Sequence, residues 1–167
     1  SDVYKRQVES LAYDSLLSGT RLIAEAWDAG GLYQVGQFPA FCRWSEWNGK
    51  YRDDLREYLK GGLWSAQAAA MRIAGSTDIY KPKIRGKNAS VNFLTCHDGF
   101  TLYDLYSYNW KHNEANGWEN RDGSDDNRSW NCGEEGETDD PQVNALRMRL
   151  IKNACAVLML SLIHISE

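Results

Sequence analysis

No stretch of this 167-residue sequence approaches the roughly 20 consecutive apolar residues that a membrane-spanning helix requires. The longest apolar run, residues 154–160, suits a helix end or a core strand, so a soluble chain with no membrane partner is expected. The N-terminus has no apolar core of a signal peptide. Lys and Arg are scattered and the net charge is -4, which leaves no electrostatic footprint for a phosphate backbone and excludes nucleic acid as an expected partner. The four cysteines, Cys42, Cys96, Cys132 and Cys155, form no C-x-x-C pair and no zinc-spaced set with His. Neither a metal site nor a disulfide framework is expected; buried free thiols in a reducing compartment are. Internal repeats and low-complexity tracts are also absent.

What the sequence does contain is material for a core. Hydrophobic residues make up 43% and aromatic residues 12%, with seven Trp and nine Tyr, which places the chain outside the disordered class. Leu22-Ile23-Ala24 is a short apolar run that breaks off at Glu25 and reaches Gly30-Gly31, the pattern of a buried strand delivering a side chain into a loop. Residues 53–60 carry Leu55, Tyr58 and Leu59 at helical spacing, with Asp53 and Asp54 in the first turn and Gly61-Gly62 beyond the end. A second helix is predicted from Ser65 as N-cap through the Ala-rich stretch to Gly75.

Residues 91–95, Val-Asn-Phe-Leu-Thr, read as another buried strand, ending at His97-Asp98-Gly99. Residues 109–140 are rich in Asn, Gly, Asp, Glu and Ser, so a long polar loop of the kind kept for function is expected. From Pro141, Val143, Leu146, Leu150 and Ile151 keep a 3.6-residue spacing to about Leu160. Short buried strands alternating with helices predict a parallel sheet, in which chemistry gathers at the carboxyl ends of the strands. Glu25, His97 and Asp98 all occupy such positions.

Leu22-Ile23-Ala24-Glu25-Ala26-Trp27-Asp28 and Val91 through Phe100 resemble two signature segments of the α-amylase superfamily, those that end its fifth and seventh barrel strands. Tyr33-Gln34-Val35-Gly36, Trp44 through Asp53, and Tyr108 through Gly117 are similar to the isoamylase and glycogen-debranching branch. The resemblance covers most of the chain and implies an α/β fold: a partial (β/α)8 TIM barrel, roughly strands five to seven and their helices, with Trp44 to Asn48 as strand six. The chain is too short for a whole barrel of about 250 residues. Residues 8–160 are taken as the partial catalytic barrel domain, and residues 1–7 and 161–167 as non-native terminal extensions.

The chemistry that this family implies is retaining glycoside hydrolysis, with two carboxylates about 5 Å apart flanking the scissile bond. The resemblance carries the general acid/base role onto Glu25. Just past a buried strand, with Ala26 and Trp27 limiting water, its carboxyl can hold a proton for the leaving oxygen. An isolated Glu after an apolar run is ordinarily a solvated strand-end residue; the motif reverses that reading. His97 and Asp98 match the pair that bonds sugar hydroxyls and stabilises the transition state. Trp27, Tyr33, Trp47 and Tyr103 are candidate stacking platforms for glucose faces, against the alternative that they are core. His112 and His164 are read as structural, with sugar contact a secondary reading for His112. The acidic segment 122–127 departs from the EF-hand template, so no metal is assigned to it. No cofactor is implied.

The family's nucleophile is an Asp at the end of strand four, inside an apolar-Arg-apolar-Asp segment. None precedes Glu25, and Asp14 sits in what reads as the helix before strand five, so it is not assigned. The resemblance thus implies a fragment of a hydrolase cleaving α-1,6 branch linkages in a branched α-glucan such as glycogen, amylopectin or limit dextrin, itself inactive for want of that Asp. The alternatives are a non-catalytic glucan-binding homologue and an α-1,4-acting hydrolase or transglycosylase of the same superfamily. A cytoplasmic location is expected, or a plastid if the source is a plant or alga.

Overall fold

The computed structural model describes residues 2–28, 30–81 and 89–160. Among these, four α-helices, α1 (Asp2–Tyr13), α2 (Gly49–Leu59), α3 (Ala66–Ile73) and α4 (Pro141–Met159), accompany three strands, β1 (Leu22–Ala24), β2 (Trp44–Trp47) and β3 (Ser90–Val91). The strands form one parallel sheet in the order β1-β2-β3, with Ala24 opposite Glu46 and Glu46 opposite Ser90. Parallel neighbours in sequence order are the expected arrangement for strands joined by helical crossovers. Their carboxyl ends therefore share one edge.

The helix α2 starts four residues before the predicted Asp53, because Asn48 supplies the cap: its Oδ1 accepts the Tyr51 N–H at 3.0 Å. Asn48 is fully buried, and its Nδ2 donates to the Ser76 and Ser90 hydroxyls at 3.0 and 2.9 Å. One side chain thus ties the end of β2 to the start of α2, to the turn after α3 and to β3. Asp53 and Asp54 fall inside the helix and pair with Arg52 and the buried Arg72, the latter also held by Asp78. Ser65 stands at the N-cap position of α3 as predicted, but its side chain makes no capping bond; the hydroxyl donates to the Gly62 carbonyl at 2.6 Å instead.

The third strand is shorter than predicted. Only Ser90 and Val91 pair with β2, since β2 turns into α2 at Asn48 and offers no further partner. Asn92, Phe93 and Leu94 continue as buried backbone toward His97. The core beneath them joins Tyr51, Leu55, Ala69, Leu94, Leu105, Tyr106 and Ala154, with Val143, Leu146, Leu150 and Ile151 packed against it along the predicted stripe of α4. A fully buried side chain such as Leu55 contributes about 1.5–3 kcal/mol. Asp140 and Pro141 start α4 as a cap and a first-turn proline.

The thiols depart from expectation. All four are free, but only Cys132 is buried, while Cys42 and Cys155 are exposed. Cys155 follows the buried Ala154, and one helical step turns it about 100° away from the core. Residues 161–167, with the predicted second terminal extension and His164, lie outside the described residues.

Candidate functional site

The sheet edge brings Glu25, His97 and Asp98 together. Glu25 follows the last residue of β1 directly, and His97 Nε2 lies 3.8 Å from its Oε2 and 3.7 Å from Asp98 Oδ2. These are longer than hydrogen bonds, so the polar atoms of all three face one space while remaining able to bond a ligand. Trp47, at the end of β2, packs edge-on against the His97 ring at 5.6 Å and against Phe93 at 5.0 Å, which orients the imidazole. The ligating atoms of the trio lie within 4.8 Å of one another, a spacing that could also hold a metal ion; exposed acidic groups commonly adopt it with none.

The water exclusion predicted around Glu25 is not supplied by these residues. Ala26 is buried and Trp27 half-buried, but the Glu25 side chain is 40% exposed, because nothing among the described residues covers the rim above it. Past Glu25 the chain doubles back: Gln34 N–H donates to the Ala26 carbonyl at 2.7 Å, and Asp28 accepts the Leu32 N–H at 3.0 Å. The antiparallel bridge Trp27↔Tyr33 stacks the two rings 6.0 Å apart and 18° from parallel. Burial and the Asp53 charge push the Tyr33 hydroxyl up to about 12, so it stays a neutral donor. It leans so closely on α2 that a Cβ at Gly49 would meet it at 2.8 Å.

A second glutamate on the neighbouring strand has a different fate. Glu46 is fully buried, and its carboxylate accepts the Gly36 N–H at 2.6 Å, fastening the turn after Tyr33 onto the sheet. Of the other predicted platforms, Trp47 touches the trio through His97, whereas Tyr103 is tied elsewhere: its hydroxyl donates to Glu137 at 3.0 Å. Asp14, left unassigned, caps a 3₁₀ turn by accepting the Leu16 N–H at 2.8 Å. The acidic segment 122–127 spends its charges on neighbours, Asp122 on Asn116, Asp125 on Lys111 and Asp126 on Arg128.

The loop after Asp98 holds groups that residue-type reasoning passed over. Gly99 has φ +74°, and a Cβ there would lie 2.6 Å from Asn127 Oδ1, which accepts the Phe100 N–H. Asn127 is in turn gripped by Arg56, whose guanidinium donates to the Leu94 and Asn127 carbonyls at 2.7 and 3.1 Å. Burial, then the nearby Arg52 charge, lower Arg56 to about 10, which still leaves it charged at neutral pH. The signal for Asn127 and Arg56 was absent from the sequence, because both act through backbone carbonyls and amides whose proximity only the fold creates.

Glu135 is the other omission. Its carboxylate accepts the N–H groups of Asn109 and Trp110 at 2.8 and 3.1 Å, the Asn131 amide at 3.1 Å and a contact with His112 Nε2 at 3.1 Å. Partial burial pushes this carboxyl up, but the bonds from Asn109, His112, Trp110 and Asn131 outweigh it and hold it below the ordinary carboxylate range.

Searching for a matching protein-family model returned none. Individual curated proteins match strongly. The chain is 53% identical over 154 residues to "Isoamylase 3, chloroplastic" of Oryza sativa subsp. japonica, covering 92% of this chain and 20% of that protein. It is 56% identical over 149 residues to "Glycogen operon protein GlgX homolog" of Mycobacterium tuberculosis, covering 89% and 20%. With "Glycogen debranching enzyme" of Pectobacterium atrosepticum the identity is 46% over 155 residues, covering 92% and 23%. The chain therefore spans about a fifth of the length of these relatives. No helix among the described residues is long and apolar enough to cross a membrane. Over roughly nine-tenths of its length, this chain is similar to a segment of the isoamylase and glycogen debranching proteins.

Proposed function

We propose that the protein carrying this segment is a retaining glycoside hydrolase that cleaves α-1,6 branch linkages in a glycogen- or starch-type glucan. The observation that carries the reading is the convergence of Glu25, His97 and Asp98 at the carboxyl edge of a parallel sheet. Homologues named isoamylase and glycogen debranching enzyme supply the linkage and the substrate class.

In this reading the segment forms strands five to seven of a (β/α)8 barrel, with residues 8–160 as its native part. The parallel order β1-β2-β3 supports it. So do the apolar side chains left in solvent, Leu16, Ile23, Leu63, Trp64 and Met159, as surfaces that further parts of a longer chain would cover.

Glu25 protonates the departing glucosyl oxygen and afterwards takes a proton from the attacking water. His97 and Asp98 bond hydroxyls of the reacting ring, contacts that tighten as the ring flattens toward an oxocarbenium ion. Trp27 and Tyr33 form one aromatic wall beside Glu25, and Trp47 fixes His97. The nucleophilic carboxylate comes from another strand, so the 167-residue chain alone has no hydrolytic activity.

The test is the full-length protein on branched glucan. Linear α-1,4 chains should be released, and Glu25→Gln should lower the rate by about 10²- to 10⁴-fold with the fold intact. Release of products from an unbranched α-1,4 glucan instead would assign the protein to the α-1,4-acting relatives, and no hydrolysis of either glucan would overturn the enzyme reading.

A further inference from the structure

Glu25 stands between two anchored stretches of backbone. Behind it, β1 is paired with β2, Ala24 lying opposite Glu46. Ahead of it, the chain doubles back from Ala26 to Gly36, and the far end of this hairpin is tied to the sheet by the Glu46 carboxylate, which accepts the Gly36 N–H at 2.6 Å. We propose that Glu46 is a positioning residue for catalysis: through Gly36 it sets where the Trp27–Tyr33 pair and the chain leaving Glu25 come to rest, and so where the Glu25 carboxyl meets the glucosidic oxygen. The proposal rests on the hydrolase reading above and adds to it a residue that is fully buried and meets no substrate.

Stability does not explain a carboxyl at this place. Taking such a group out of water is costly, and an apolar side chain of similar volume commonly serves a core as well or better. What an apolar side chain cannot do is accept a hydrogen bond.

The apolar contacts at the base of the hairpin fix its depth but not its register. Val35 is buried with Ala26, Tyr80 and Ala89, and Trp27 and Ile79 pack around them. Contacts of this kind are non-directional, whereas the bond from Gly36 to Glu46 has a preferred line. Glycine lets the donor come this close: φ is +84°, and a Cβ would run into Ile79 Cγ2 and lie 3.2 Å from the Ile79 carbonyl oxygen.

From Gly36 the register passes back toward Glu25 along the backbone. The Gln37 N–H donates to the Gln34 carbonyl at 2.8 Å, and the Gln34 N–H donates to the carbonyl of Ala26, the residue after Glu25, at 2.7 Å. The same register sets the Trp27↔Tyr33 bridge and the ring stack built on it. Proton transfer to a leaving oxygen is sensitive to placement, and a shift of about 1 Å can cost about 10²-fold in rate.

The experiment uses the full-length protein, with kcat and KM on branched glucan and hydrogen exchange at Gln34 and Gly36 measured for each variant. Glu46→Gln keeps an acceptor oxygen at the same reach, while Glu46→Asp keeps an ionisable carboxyl and draws it back by a methylene. Glu46→Gln should stay within about threefold of the unsubstituted kcat. Glu46→Asp should lose about ten- to a hundredfold in kcat, with KM changed by less than about threefold and exchange faster at both amides. A purely structural Glu46 would lower the unfolding midpoint and leave kcat per folded molecule unchanged. Unchanged kcat in folded Glu46→Asp overturns the proposal, as does an equal loss in both variants. Where Glu46→Asp does not fold, Glu46→Gln decides: near-normal kcat with slow exchange at Gly36 supports the role, and either a tenfold loss, roughly, or failure to fold overturns it. If the unsubstituted protein hydrolyses no glucan, the functional reading falls and the catalytic role with it, while faster exchange in Glu46→Asp would still establish the anchor.

Discussion

The sheet edge and the loop that follows it are built by different forces. Glu25 and Trp47 are placed by strands whose backbones bond to one another over a hydrophobic core, so their positions follow from the alternation of apolar runs and helices. Residues 99–137 contain no strand and only short 3₁₀ turns, and are ordered instead by side chains reaching backbone groups: Arg56, Asn127, Glu135 and Arg147 each bind two or more segments of that loop or its neighbours. A strand-built site loses stability when its core is cut. A side-chain-built site fails locally, one clamp at a time, while the core beneath survives.

The largest break is expected at the joint of the strand-built half. Asn48→Ala removes an N-cap worth about 1 kcal/mol and strips a donor from two buried Ser hydroxyls, each worth about 1–3 kcal/mol when left unsatisfied. A loss of roughly 3 kcal/mol in the full-length protein, read by denaturant unfolding with unchanged slope, is expected. A loss under about 1 kcal/mol would mean that Asn48 is replaceable and the two halves are less different than their bonding suggests.

Gly99→Ala strikes the junction of the two halves. The left-handed backbone costs a side-chain-bearing residue about 1–2 kcal/mol, and the new Cβ displaces Asn127 Oδ1 from the Phe100 N–H. The effect should stay local. Hydrogen exchange at Phe100 should speed up by about tenfold or more, the equivalent of 1.4 kcal/mol, while amides of α2 and α4 keep their protection. Faster exchange throughout α2 would show that loop and core unfold together.

These two positions also mark how far the sequence could be read. Glu25 was legible because its apolar run stops abruptly at the end of β1, and the parallel sheet followed from the alternation of such runs with helices, whereas His97 and Asp98 lie beyond the end of the short β3. The 141–159 helix was legible from Pro141 and a 3.6-residue stripe. The start of α2 was misplaced by four residues because Asn48, a residue of weak helical pattern, outweighs the acidic residues that looked like a first turn. Glu135 and Arg147 were invisible for a different reason: each works by meeting backbone groups 11 to 26 residues away, and no local pattern encodes where a long loop returns. Glu46 shows the same limit, since its alternation fits a strand but not its burial on a backbone N–H.

The smallest expected effect tests the loop by protonation alone. Glu135 is held below the ordinary carboxylate value of 4.5, so its bonds to Asn109, Trp110 and His112 favour the folded loop at every pH above that value. The contribution is lost as pH falls through the lowered folded value, because a protonated carboxyl no longer accepts all four bonds. Proton uptake by the loop should therefore begin below about pH 4.5, and the 109–112 amides should exchange faster there, after correction for the intrinsic rate, than in Glu135→Gln, which has no such titration. Strand-side amides at Glu46 and Asn48, bonded to the Ala89 and Val91 carbonyls, should follow one pH dependence in both proteins. If Glu135→Gln and the unsubstituted protein lose loop protection in parallel as the acid is added, the clamp is not electrostatic and the loop draws its order from packing, as the sheet does.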